Sequence, residues 1–154
     1  MSEFKDWGDS FQTPDYVCDY MASLLPENAG FILEPTPGKG NLVKALAGKG
    51  EVIAPNSFDE IEGSFDWVVM NPPFTPMQKG YDMLYACMEM SDNLVALMPY
   101  LVIINSEKRT KKIFDFGLKS LTHLPRKVFN GSRVQTCILH LEKGYTGETI
   151  FKQL

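Results

Sequence analysis

The chain has 154 residues, 44% of them hydrophobic and 22% charged, a globular composition that excludes a disordered, collagen-like or low-complexity polypeptide and fits one domain of ordinary size. Its net charge of −4 excludes a strong overall cationic field drawing the molecule to nucleic acid or anionic lipid, while leaving room for local basic patches. Three cysteines, Cys18, Cys87 and Cys137, lie far apart without CxxC spacing and read as buried thiols in a reducing compartment, not as a disulfide framework or zinc cluster. Met1 to Asp6 has no signal-peptide character and no apolar run approaches a bilayer span, so the expectation is a cytoplasmic protein with no membrane partner.

In chain order, Thr13-Pro14 reads as an N-cap followed by a first-position proline. Val17, Met21 and Leu24 then recur at helical spacing until Pro26. Gly30 to Glu34 is a short apolar strand ending in a carboxylate, and it leads into the glycine loop Pro35-Thr36-Pro37-Gly38-Lys39-Gly40. Asn41 to Leu46 resumes helical spacing, closed by Gly48 and Gly50. Glu51 to Ala54 is a brief strand. Phe65 to Met70 is a stronger one, aromatic and β-branched, stopped by Asn71-Pro72-Pro73-Phe74.

Tyr81, Leu84, Tyr85 and Met88 mark a helix, Leu94 to Met98 a strand, and Ser106 to Phe116 a charged helix stopped by Gly117. Leu118 to Leu124 and Val134 to Leu141 are expected to pair antiparallel around the turn signal Asn130-Gly131. This alternation predicts one mostly parallel, doubly wound α/β sheet with helices on both faces and a C-terminal antiparallel hairpin, all within a single domain over 1–154.

In such sheets ligands sit outside the carboxyl ends of the strands, where the two loops Glu34 to Gly40 and Asn71 to Phe74 fall. Gly38 and Gly40 let backbone approach a ligand, and the following helix offers N–H groups to an anion. An ordinary strand-to-helix turn explains the glycines equally well. The second loop is more specific, because two consecutive prolines stiffen the backbone and remove two donors. Asn71 and the Pro72 carbonyl supply acceptors, and Phe74 a flat apolar face, a set suited to a planar ring bearing an exocyclic amine.

At these residues the sequence resembles the S-adenosylmethionine-dependent adenine-specific DNA methyltransferases. Phe11-Gln12-Thr13-Pro14 is similar to their N-terminal cofactor motif, Leu33 to Gly40 to their glycine loop, and Phe65 to Phe74 to their strand and catalytic NPPF. The tail from Leu124 to Leu139 resembles the hairpin that ends their catalytic core.

The resemblance implies a Rossmann-like methyltransferase fold with S-adenosylmethionine as cofactor. Phe11, Thr13, Pro14, Glu34, Pro35, Gly38, Gly40 and Asn71 would border it, while Asn71, Pro72, Pro73 and Phe74 would receive a target adenine turned out of the duplex. It implies direct transfer to the amine without a covalent enzyme intermediate. DNA is the implied partner.

Two departures stand out. The stretch from Gly40 to Asn71 is too short for the second strand and helix the family usually carries, so the fold is shortened after the glycine loop. Ser57 stands where the family has an acid touching the cofactor adenine, with Asp59 nearby as a substitute. Nothing beyond the core remains to read base edges, which points to a recognition subunit or a homo-oligomer.

Phosphate-contact candidates are Lys108, Arg109, Lys111 and Lys112, where Glu107 and Asp115 favour a solvated helix face, and Arg126, Lys127 and Arg133. His123 and His140 read as partnered structural histidines. No metal site is indicated. The alternatives are a non-catalytic methyltransferase-like interaction protein, or a methyltransferase acting on RNA or protein glutamine.

Overall fold

The computed structural model describes residues 12–129 and 134–154. Helix and strand alternate as α1 (Asp15–Ser23), β1 (Phe31–Leu33), α2 (Asn41–Leu46), β2 (Glu51–Ile53), β3 (Trp67–Met70), α3 (Met77–Met88), β4 (Asn93–Pro99), α4 (Leu101–Ile104), α5 (Glu107–Phe116), β5 (Leu118–His123), β6 (Thr136–Glu142) and β7 (Ile150–Gln153). The strands join in one sheet in the order β2-β1-β3-β4-β6-β5-β7. β2, β1, β3 and β4 run parallel, β6 is antiparallel to both β4 and β5, and β7 lies parallel to β5.

The twofold alternation of side chains along a strand decides which helix covers which face. Leu33, Val68, Met70, Leu94, Ala96 and Met98 point one way and pack with Leu84 and Cys87 of α3 and Ile113 of α5. Ile32, Val69, Val95 and Leu97 point the other way, against Val17 and Met21 of α1 and Leu42 and Leu46 of α2. A fully buried Leu or Ile side chain contributes roughly 1.5–3 kcal/mol. An exposed pair such as Lys111–Asp115, at 2.7 Å, contributes about half a kcal/mol, so these two apolar layers hold the sheet.

The predicted doubly wound sheet, the antiparallel β5–β6 pair and the shortening after the glycine loop are all present. Among the described residues, only β2 and a single 3-10 turn at Phe58–Glu60 lie between α2 and β3. The Asn130-Gly131 turn, Arg133 and Phe11 lie outside the described residues.

Three features differ from expectation. α1 has Pro14, not Thr13, at its N-cap, and the proline side chain has no atom to make a cap bond. α4 and the edge strand β7 carry no periodic signal: β7 has four residues with Ile150 and Phe151 adjacent and exposed. His123 is partnered as expected, its Nδ1 2.8 Å from the Tyr100 hydroxyl. His140 differs: among the described residues its buried Nε2 has no hydrogen-bond partner, and its ring lies 5.7 Å from that of Trp67.

All three cysteines are buried and free, and burial pushes each thiol up to about 12. Among the described residues no helix is long and apolar enough to cross a membrane.

Burial, followed by the nearby Lys119 charge, lowers the pKa of His140 to about 4. The unfolded chain takes up this proton near 6.5, so unfolding binds a proton between those values and stability falls as pH drops through that window. His140→Phe removes this contribution. The variant should gain on the parent as pH falls from 6.5 to 4, measured as the difference between their urea midpoints.

Candidate active site

β1 and β3 are parallel neighbours, so the loops leaving their carboxyl ends stand side by side. Glu34 is fully buried, and its Oε1 accepts from both the backbone N–H and the hydroxyl of Thr36, each at 2.6 Å. The Thr36 hydroxyl oxygen in turn accepts the backbone N–H of Asn71 at 2.9 Å. The Asn71 amide nitrogen donates to the Thr13 hydroxyl at 2.7 Å, and the Thr13 carbonyl accepts from Asn41 Nδ2 at 2.8 Å. Four separate segments of chain are thereby joined. With its nitrogen donating to Thr13, the Asn71 amide has its oxygen as the accepting end.

Burial drives the Glu34 carboxyl up to about 7, against the pull of the two Thr36 hydrogen bonds. Its second oxygen, Oε2, is buried and has no hydrogen-bond partner among the described residues. An unpaired buried carboxylate oxygen is costly, and a cationic group brought to it would offset that cost. Glu34 lines a cleft with Thr13, Thr36, Gly38, Asn41 and Asn71. Among the described residues its floor holds a cavity of about 20 Å³, room for one water and too small to enclose a nucleoside.

Gly38 and Gly40 have φ of +50° and +88°, conformations that other residues adopt only with strain. A Cβ at Gly38 would stand 3.2 Å from the Gln12 side-chain oxygen, whereas one at Gly40 meets nothing within 4 Å. Pro35 is buried and Pro14 half-buried.

In the second loop Asn71 and Pro72 are buried and Pro73 half-buried. Phe74 is only 8% exposed and belongs to the same apolar cluster as Val128 and Phe129, so its ring is largely enclosed. Ser57 caps the 3-10 turn, its hydroxyl accepting from the Asp59 N–H at 3.3 Å. Asp59 is exposed. Neither residue lines the cleft floor, and β2 ends in Ile53-Ala54-Pro55-Asn56 without a carboxylate.

Sequence reasoning missed Thr36, Asn41 and Gly80 as parts of this site. A Cβ on Gly80 would lie 2.5 Å from the Pro73 carbonyl oxygen, so only glycine lets α3 dock under the loop. On α5 the charged face is committed to its own fold: the Arg109 guanidinium lies 4.8 Å from the Tyr81 ring centroid and the Lys112 ammonium 4.1 Å from that of Tyr85.

No protein-family model and no curated protein sequence matches the chain. Solved structures match its fold. A Listeria monocytogenes protein described as a class I S-adenosylmethionine-dependent methyltransferase aligns with a TM-score of 0.70 and 16% identity, over 96% of this chain and 67% of that one. The methyltransferase subunit of a type I restriction-modification system from Streptococcus thermophilus aligns at 0.71 and 17%, over 94% and 47%. The 23S rRNA methyltransferase ErmE aligns at 0.58 and 17%, over 86% and 69%. The chain thus spans about half the length of the restriction-modification subunit. These likenesses establish the fold, which is the Rossmann-like fold of S-adenosylmethionine-dependent methyltransferases.

Two substitutions probe the site's construction. Glu34 holds its proton to about pH 7 in the fold but only to about 4.5 when unfolded, so stability is lost as pH rises through that interval. Glu34→Gln should abolish this slope, so that the variant gains on the parent as pH rises from 4.5 to 7, read from urea titrations at several pH values. Gly80→Ala should destabilise the protein by about 1–3 kcal/mol through the clash with Pro73, seen as a lowered melting temperature.

Proposed function

We propose that this chain is an S-adenosylmethionine-dependent methyltransferase acting on the exocyclic amine of adenine in DNA. The observation that carries the reading is the bonding of Asn71, held at its backbone N–H by Thr36 and at its side-chain nitrogen by Thr13. So held, its amide oxygen acts beside the carbonyl of Pro72 as a rigid pair of acceptors. When both accept hydrogens from one planar amine, electron density on that nitrogen rises. Their stiffness means that little reorganisation accompanies the reaction.

The cofactor fits the donor set. Glu34 carries an orphaned buried oxygen that matches a cationic ligand, and the Gly38 and Gly40 turns keep backbone close to the cleft. Thr13, Glu34, Gly38 and Gly40 would hold it, and when bound it supplies an electrophilic methyl group. DNA as acceptor draws support from the fold shared with a restriction-modification subunit, and the target base must leave the helix to reach the loop. The fold shared with a subunit of a restriction-modification system supports a recognition subunit or a second copy of the chain as partner in this reading.

RNA is the second acceptor, favoured by the fold shared with an rRNA methyltransferase. A non-catalytic interaction role is favoured by the absence of a carboxylate at the end of β2 and by the small cleft floor.

Calorimetry with S-adenosylmethionine is the first test. Micromolar binding supports the enzymatic reading, and no heat at millimolar cofactor removes it. Because a cationic ligand prefers ionised Glu34, affinity should rise about tenfold per pH unit up to about pH 7 and then level off. Tritiated methyl transfer to DNA, RNA and protein pools then names the acceptor. Asn71→Ala should lower transfer at least a hundredfold with cofactor affinity retained within a few fold, and unimpaired transfer would take Asn71 out of the chemistry.

A further inference from the structure

We propose that the 3-10 turn Arg126–Val128 is the surface that takes the phosphate backbone of the nucleic-acid strand whose adenine enters the Asn71–Phe74 loop; the inference rests on the function proposed above. β5 runs in the same direction as β3, through its antiparallel pairing with β6 and that of β6 with β4. The turn that follows β5 therefore rises on the same rim as the catalytic loop. Three strand spacings separate β3 from β5, about 14 Å, and a strand of nucleic acid spans that distance within a few nucleotides.

The turn is anchored to the site by its other residues. Val128 and the following Phe129 are buried in the apolar cluster that holds Phe74, and the Tyr100–His123 bond ties the end of β4 to the end of β5. Arg126 and Lys127 themselves are exposed.

Several other cations are already engaged. Lys49 meets Glu27, Lys111 meets Asp115 and Lys119 meets Glu142, while Arg109 and Lys112 lie on tyrosine rings. Among the described residues neither Arg126 nor Lys127 meets a carboxylate. Arg126 Nε donates to the neutral Gln135 Oε1 at 3.2 Å, and the amide nitrogen of Gln135 donates to the Leu124 carbonyl at 2.7 Å. The guanidinium is thus oriented without being neutralised, on a chain whose net charge is −4. An oriented guanidinium with an exposed ammonium beside it, on the rim of an anionic protein, complements a phosphate backbone.

The test is fluorescence anisotropy with labelled twelve-nucleotide single strands and duplexes of DNA, and the matching RNA, between about 50 and 200 mM salt. In the R126Q/K127Q double variant the slope of log affinity against log salt should shrink by about 1.4 for single strands and about 1.8 for duplex, two phosphate contacts' worth. Calorimetric cofactor binding should match the parent. Lys111→Gln, which removes a cation already paired with Asp115, should leave the slope unchanged. If the parent binds an oligonucleotide and the double variant keeps its slope, this surface is wrong while the methyltransferase reading stands. If the parent binds neither DNA nor RNA, the nucleic-acid acceptor and this surface fall together.

Discussion

The structure depends on a relay of hydrogen bonds that turns two neighbouring strand ends into one rigid corner. Glu34 closes the end of β1, Thr36 passes from Glu34 to the backbone of Asn71, and Asn71 reaches back to Thr13 at the head of α1. Each member is at least nine-tenths buried, so each bond is made where an unsatisfied group would cost about 1–3 kcal/mol. Thr13 thereby spends its hydroxyl on the corner, while the N-cap position of α1 falls to Pro14.

Rigidity of the corner has two further sources. The prolines of Asn71-Pro72-Pro73-Phe74 fix φ, and Gly80 brings α3 against the Pro73 carbonyl. Phe74 is drawn into the apolar layer with Val128 and Phe129. The loop is consequently braced on both faces of the sheet, by α3 on one side and by the α1-side cluster on the other. An acceptor pair held this way loses little freedom when a ligand arrives, which is the condition for recognising an amine by geometry.

What was legible in the sequence was local. Phe65 to Met70 carries its own strand propensity and its own proline stop, and the glycines at 38 and 40 announce a turn whatever surrounds them. The resemblance to adenine methyltransferases supplied the fold-level ordering of these pieces. Thr36 was not legible, because its role arises only when β1 and β3 lie adjacent, and a hydroxyl between two prolines reads as an ordinary turn. Thr13 was misassigned for the same reason, since its partner lies 58 positions away. β7 escaped because an edge strand exposed on both sides has no alternation to show. His140 reads from sequence as one more strand histidine, and only its unpartnered nitrogen and its place beside Trp67 set it apart from His123.

The shortened sheet shifts where a cofactor would be held. β2 is followed by Ala54-Pro55-Asn56, without a carboxylate, and forms the edge of the sheet. A hydrogen bond to a charged group contributes about 1.5–3 kcal/mol, so a ligand hydroxyl lying at this edge forgoes about tenfold or more in affinity. Under the proposed function, the compensating interaction must lie at the opposite end of the ligand. Glu34 is the group able to supply it, because its second oxygen is buried and unpaired and its charge strengthens as a cation approaches. Under that function, recognition of the cofactor would therefore rest on charge at the corner where β1 and β3 meet, with little help from the open edge beside β2.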